Sequence, residues 1–114
     1  MPATYCLKAY RAFSAAHYLR DYEGPCARLH GHDYKVEVEV TATKLLDNGL
    51  AIDSSEIKAA LMSVVDRVDH RCLNELDPFT KINPSAENIA AWFFQEVSKQ
   101  LSGHAHARLS AVIV

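Results

Sequence analysis

The chain has 114 residues, of which 49% are hydrophobic and 23% are charged, and its formal net charge is −2. This length and composition predict a single domain over residues 1–114 and exclude a strongly basic protein, so we expect no nucleic-acid and no membrane partner. The start, MPATYCLKAY, lacks the apolar centre of a signal peptide, and the odd number of cysteines argues against a disulfide framework, so we expect a cytoplasmic protein with free thiols.

Two β-strands are predicted in the first part of the chain. Residues 4–17 are rich in aromatic and small side chains, and residues 34–43 alternate between apolar and polar side chains. A loop of about fifteen residues joins the two strands, which is more than a hairpin needs, and loops of that length are often functional. The loop contains Cys26, and His30 and His32 stand at its exit.

Two amphipathic helices and a last strand follow. Asp53 can cap a helix of about four turns within residues 53–70, and Ser85 can cap a second helix that Gly103 ends. A last strand is predicted from about residue 105. The apolar stripe of the first helix is Ile57, Ala60, Leu61, Val64, Val65 and Val68, and that of the second is Ile89, Phe93, Val97 and Leu101.

The predicted order β-β-α-α-β is typical of an α+β domain. Strands that precede and follow a pair of helices form an antiparallel sheet with both helices on one face. The last predicted strand carries an apolar run up to Val114. We expect its edge to pair with a further strand, with a neighbouring subunit, or with both.

Three histidines are the candidate metal ligands. His30 and His32 are two apart, so on a strand both side chains point to the same side. If the first two strands form a hairpin, His17 lies close to this pair, and three imidazoles leave one position of a zinc ion open for catalysis. An H-x-H pair alone is also common among histidines that bind no metal. A second such pair, His104 and His106, has no third partner nearby in the sequence and is expected to face solvent.

Cys26 and the adjacent pair Asp69 and His70 are the candidate catalytic groups. A thiol near a dication and imidazoles should be partly ionised, which suits a general base. The alternative is that Cys26 is a fourth, structural zinc ligand. A carboxylate that fixes the tautomer of a histidine forms half of a proton relay, so we predict that the three residues work together. The other two cysteines, Cys6 and Cys72, are expected to be small apolar fillers.

Five motifs carry a resemblance to a known family: FSAAH, CARLHGHDY, IDSSEIK, VDHRCLNEL and NPSAENIAAWFF. In this order, and over nearly the whole chain, they resemble the 6-pyruvoyl-tetrahydropterin synthase family. The C-x3-HGH spacing is similar to the branch that forms 6-carboxy-tetrahydropterin in queuosine biosynthesis. The resemblance implies zinc on the three histidines, Cys26 as the catalytic base with the Asp69–His70 pair as its relay, and Ser85 as a hydroxyl near the pterin.

The fold that the resemblance implies is a T-fold. In such a fold two antiparallel hairpins flank two helices, subunits close into barrels, trimers pair into hexamers, and active sites lie between subunits. In members of the family, the strand that corresponds to the last predicted strand here is followed by a glutamate that anchors the pterin and then by a fourth strand. We therefore expect both features to lie after Val114.

The reaction that the resemblance implies converts 7,8-dihydroneopterin triphosphate to 6-carboxy-5,6,7,8-tetrahydropterin, acetaldehyde and triphosphate. Two alternatives within the family are a pyruvoyl-forming enzyme and a dihydroneopterin-cleaving enzyme. A third alternative is a non-catalytic, zinc-stabilised assembly protein, in which Cys26 would complete the zinc site.

Overall fold

A computed structural model of the protein describes residues 3–114. Residues 1 and 2 of the predicted domain lie outside the described residues, and the single domain over 1–114 stays a prediction. In the described part, no helix is long and apolar enough to cross a membrane. The elements in chain order are β1 (Tyr5–His17), β2 (His30–Ala42), α1 (Ser54–Val65), β3 (Arg71–Cys72), α2 (Ala86–Gln100) and β4 (Ala107–Ile113).

The strands form one sheet in the order β3-β1-β2-β4. β2 is antiparallel to both β1 and β4, whereas β3 is parallel to β1 and pairs only with Ala15 and Ala16. The α+β fold is thus confirmed, but the order is β-β-α-β-α-β, because the two-residue β3 stands between the helices. Two residues are too few to show a period, so this strand had no signal in the sequence.

The hydrophobic core lies between the sheet and the two helices. The inward valines of β2, Val36, Val38 and Val40, are at most 1% exposed, since alternate residues of a strand face one side. Leu61 of α1 and Phe93 of α2 belong to the same cluster and are 0% exposed. Both predicted apolar stripes are therefore confirmed as buried, although their last members, Val68 and Leu101, lie beyond the ends of α1 and α2.

Two element boundaries differ from the prediction. β2 begins at His30 rather than at residue 34, because β1 and β2 pair residue by residue as far as His17 opposite His30. The residues of this extension, HGHD, are polar or glycine, so the alternation of apolar and polar residues that predicts a strand begins only after them. α1 ends at Val65 rather than near residue 70. The chain turns after Val65 so that Val68 reaches the core, and His70 takes a φ of 59°, which no α-helix accommodates.

The helix starts follow the sequence. A side-chain oxygen of Asp53 accepts a hydrogen bond from the backbone N–H two residues ahead (2.9 Å). The hydroxyl of Ser85 accepts one from the N–H three residues ahead (3.1 Å). The expectation that His104 merely faces solvent was wrong, because its Nε2 lies 2.8 Å from a carboxylate oxygen of Glu56 in the first turn of α1. His106 is exposed, as predicted.

Candidate metal centre and catalytic groups

Three histidines meet at one end of the β1–β2 pair. His17 is directly opposite His30, and His32 is opposite Ala15, so all three side chains emerge on the face that also carries the core. Their ring centroids are 4.6 Å (17–30), 5.2 Å (17–32) and 4.7 Å (30–32) apart. One nitrogen of each ring lies within 4.8 Å of the other two. The predicted juxtaposition is confirmed, and the group can hold a metal ion.

Backbone carbonyls select which nitrogen of the ring is available. Nδ1 of His17 lies 2.7 Å from the carbonyl oxygen of Pro84, and Nδ1 of His30 lies 2.6 Å from that of Arg28. A carbonyl only accepts, so each Nδ1 carries the hydrogen and each Nε2 presents a lone pair. Such second hydrogen bonds are typical of histidines that ligate metals.

The group fits a metal ion on a second observation. Within residues 3–114, Nε2 of His30 is the one buried side-chain nitrogen or oxygen without a hydrogen-bond partner. A buried polar atom without a partner costs about 1–3 kcal/mol. A cation on the shared side of the three rings would remove this cost.

Burial keeps the imidazole of His17 in the neutral form that binds a metal ion. His17 is 7% exposed, and its pKa is lowered chiefly by burial, with smaller contributions from His30 and His32 against the bond to Pro84. The imidazole therefore stays neutral at neutral pH, which is the form that binds a metal.

Tyr34 closes the centre on the side of the core. Its hydroxyl lies 3.2 Å from both ring nitrogens of His17, and its ring stacks on Phe13 with centroids 5.0 Å apart. Burial raises the pKa of Tyr34 to about 12, so the phenol stays protonated. In the sequence, Tyr34 is only the first residue of the alternating run 34–43, and no role at the site was predicted for it. The sequence does place Tyr34 between the histidines and the valines of β2 with the same spacing of two, and this spacing could have predicted its contact with the histidines.

Cys26 lies in the loop over the end of β1. It is half-buried in a 3-10 turn, Pro25–Ala27, and its carbonyl accepts a hydrogen bond from the N–H of Leu19 (2.8 Å). This bond ties the loop to a residue just beyond His17. The ligating group found among residues 3–114 consists of the three histidines without Cys26.

Asp69 and His70 form the predicted pair. A carboxylate oxygen of Asp69 lies 2.9 Å from Nδ1 of His70 and also accepts a hydrogen bond from the N–H of Ser14 (3.0 Å), which is the main cause of its lowered pKa. The N–H of His70 donates to the carbonyl of Ser14 (2.6 Å). These bonds hold His70 in a left-handed conformation, which is rare outside glycine and recurs at functional sites.

The relay partners do not share one cavity within the chain. The His70 side chain is 82% exposed and borders a cavity of about 500 Å³ that His32 and Cys72 also line, whereas Cys26 is not among its lining residues. The filler interpretation was wrong for Cys6, which is exposed, and Cys72 is only half-buried. Both cysteines were expected inside because neither stands near the predicted metal ligands in the sequence.

The chain belongs to the T-fold class of proteins. Its small sheet carries two helices on one face, and the three histidines at the end of the sheet form a candidate metal centre. The fold is similar to that of 6-pyruvoyl tetrahydropterin synthase from Caenorhabditis elegans, with a TM-score of 0.81 and 23% identity, covering 96% of this chain and 89% of that chain. The family profile described as 6-pyruvoyl tetrahydropterin synthase matches residues 6–114, and the chain belongs to this family.

Curated relatives support the same assignment. A 6-carboxy-5,6,7,8-tetrahydropterin synthase from Synechocystis sp. is 38% identical over 93 residues, covering 77% of this chain and 70% of that protein. A dihydroneopterin monophosphate aldolase from Pyrococcus furiosus is 37% identical over 95 residues, covering 82% of this chain and 76% of that protein. The resemblance noted from the motifs is thus confirmed, and the chain stands among pterin-metabolising enzymes.

Proposed function

We propose that the protein converts 7,8-dihydroneopterin triphosphate and one water to 6-carboxy-5,6,7,8-tetrahydropterin, acetaldehyde and triphosphate. The observation that carries the proposal is the three-histidine centre with its unpartnered Nε2, in a chain 38% identical to a relative named for this product. The pathway proposed for the product is queuosine biosynthesis, in the cytoplasm.

Zinc is the metal we propose for this centre. Nε2 of His17, Nε2 of His30 and one nitrogen of His32 would hold it, and a neutral three-imidazole set is the donor chemistry of catalytic zinc. When bound, zinc supplies a Lewis acid that polarises hydroxyl groups of the substrate side chain. Tyr34, with its protonated phenol, would close the centre on the core side, where its ring packs against that of His17.

Cys26 is the proposed base. Its thiolate would remove a carbon-bound proton beside the pterin ring, so that the ring can tautomerise, and His70, oriented by Asp69, would carry protons to and from the thiol. Cys26 does not line the cavity beside His70. We therefore place the relay between Cys26 of one subunit and the exposed His70 of a neighbouring subunit. Ser85, which caps the N-terminus of α2 next to Pro84, is the proposed hydroxyl contact to the pterin.

A homohexamer built as a dimer of trimers is the proposed assembly. Among residues 3–114, no strand pairs with the outer edge of β4 or, before Ala15, with the outer edge of β1. Unpaired strand edges of this length favour pairing with another copy, and a head-to-tail contact between two different edges gives a closed ring when the rotation between copies divides a full turn.

Product analysis tests the proposal. The zinc-loaded protein is incubated with 7,8-dihydroneopterin triphosphate, and pterins and aldehydes are identified by mass spectrometry. We expect 6-carboxy-5,6,7,8-tetrahydropterin and acetaldehyde in equal amounts. A 6-pyruvoyl product without free aldehyde would contradict it, and no turnover of any pterin would favour the zinc-stabilised assembly protein.

Dihydroneopterin cleavage is the second candidate, because the Pyrococcus furiosus relative is 37% identical over 82% of this chain. The same base and metal suit a retro-aldol cleavage, which yields a 6-hydroxymethyl pterin and a two-carbon aldehyde. Parallel assays with dihydroneopterin monophosphate separate the two activities by their aldehydes. Faster turnover of the monophosphate would favour this candidate over the first.

A further inference from the structure

Two asparagine side chains hold the chain just after His17. Oδ1 of Asn74 accepts a hydrogen bond from the N–H of Tyr18 (2.9 Å), and its Nδ2 donates to the carbonyl of Tyr18 (3.0 Å). Asn83 makes the same pair of bonds with the N–H and carbonyl of Arg20, both at 2.9 Å. Each carboxamide thus takes the place of a partner strand where β1 has ended.

The residue between these two positions pairs in the other direction. The N–H of Leu19 donates to the carbonyl of Cys26 (2.8 Å), on the side away from the asparagines, as alternation along an extended chain requires. Residues 18–20 therefore connect three groups of the site: His17 at their start, Cys26 on one edge, and the two asparagines on the other.

The Asn83 segment also holds the ring of His17. The carbonyl of the next residue, Pro84, accepts the hydrogen bond from Nδ1 of His17 (2.7 Å). The carbonyl of Asn83 itself accepts a bond from Nδ2 of Asn88 in α2 (2.9 Å). The backbone that follows His17 and the carbonyl that orients its ring are thus tied to the same short segment, Asn83 and Pro84, whose backbone is in turn anchored to a helix.

We propose that Asn83, together with Asn74, is a positioning residue that orients the imidazole of His17 toward the metal and sets the place of Cys26. This inference rests on the proposed function, in which His17 binds the metal. Groups that orient a ligand histidine from outside change metal affinity by about 10- to 100-fold when they are removed. Asn74 is 5% exposed, so its two bonds have no water to replace them.

The test compares metal binding by Asn83→Ala with that of the unmodified full chain. Zn²⁺ affinity is measured by competition with a chromogenic chelator, and the geometry is followed in the d–d absorption bands of the Co²⁺-substituted protein. We expect Zn²⁺ to bind about 10- to 100-fold more weakly and the Co²⁺ bands to change in position or intensity. Asn48→Ala is the matched control, because Asn48 also accepts from a backbone N–H (3.1 Å) but lies beyond the opposite end of β2.

Asn74→Asp provides a second measurement if Asn83→Ala does not fold. The carboxylate still accepts from the N–H of Tyr18 but no longer donates to its carbonyl, and we expect the same weaker binding and the same spectral change. A folded variant with a lower melting temperature but unchanged Zn²⁺ affinity and Co²⁺ spectrum would overturn the inference and leave a purely structural role. If the unmodified protein itself binds neither ion, the metal centre of the proposed function fails, and the inference fails with it.

Discussion

Replacing His30 with alanine should separate the stability of the metal centre from that of the fold. In the metal-free protein Nε2 of His30 is buried without a partner, which costs about 1–3 kcal/mol. His30→Ala removes this cost together with the bond to Arg28 and some packing, so the metal-free variant should lie within about 1 kcal/mol of the metal-free unmodified protein.

The effect of zinc is then expected only in the unmodified protein. Zinc at a hundred times its dissociation constant adds about 2.7 kcal/mol to the free energy of unfolding. In a chain of 114 residues about 1 kcal/mol shifts the melting temperature by roughly 4 °C. We therefore expect zinc to raise the melting temperature of the unmodified protein by about 10 °C. Two imidazoles hold the ion poorly, so His30→Ala should show little of this rise.

Thermal unfolding followed by circular dichroism, with and without zinc, measures both quantities. His106→Ala is the control, because His106 is exposed and lies outside the ligating group. An equal rise in His30→Ala and in the unmodified protein would place the ion elsewhere. A metal-free His30→Ala that is destabilised by several kcal/mol would show that the ring serves packing rather than a metal.

Four further measurements test the remaining groups and the assembly. Cys26→Ala should keep the zinc and lose about a hundredfold or more in turnover, whereas Cys6→Ala should lose neither; release of zinc would make Cys26 a ligand. Asp69→Asn should keep the zinc and lower turnover through a misoriented His70, and an unchanged rate would remove Asp69 from the relay. Burial lowers the pKa of His17 from 6.5 in the folded protein, so on acidification the imidazole is protonated in the unfolded chain before it is protonated in the folded one. The metal-free protein should therefore lose stability as the pH falls below 6.5. Denaturant titrations across this pH range measure the loss, and a flat profile would show that the ring is exposed. Light scattering should give a hexamer or trimer, and a stable monomer would contradict the proposed assembly.

The three-histidine group could be predicted from the sequence because it depends on strand alternation. His30 and His32 share the parity of the inward valines Val36 and Val38, and His17 ends the neighbouring strand. A hairpin is the simplest arrangement of two such strands, and it brings the three rings together. The helix caps were predictable for a similar reason, since a capping hydroxyl or carboxylate acts on an N–H only two or three residues ahead.

The groups that orient the centre could not be predicted in this way. The bond from His17 to the Pro84 carbonyl spans 67 residues of the chain, and the bonds from Asn74 to Tyr18 span 56. No local period or spacing marks such pairs, because they are decided by how α2 and the turn after α1 pack against the end of β1. The early end of α1 has the same origin, since Val68 and His70 are placed by contacts with the core and with β1.

The core and the candidate metal centre depend on the same register of β1 against β2. The inward face of the pair runs from the valines of β2 through the stacked rings of Phe13 and Tyr34 to the three imidazoles without a change of parity. A slip of β2 by one residue would turn His30 and His32 to the opposite face, away from His17, and would expose the valines at the same time. Burial of the valines therefore fixes the register that brings the three imidazoles together. Tyr34 lies at the boundary along β2 between the valines that pack in the core and the histidines of the candidate site.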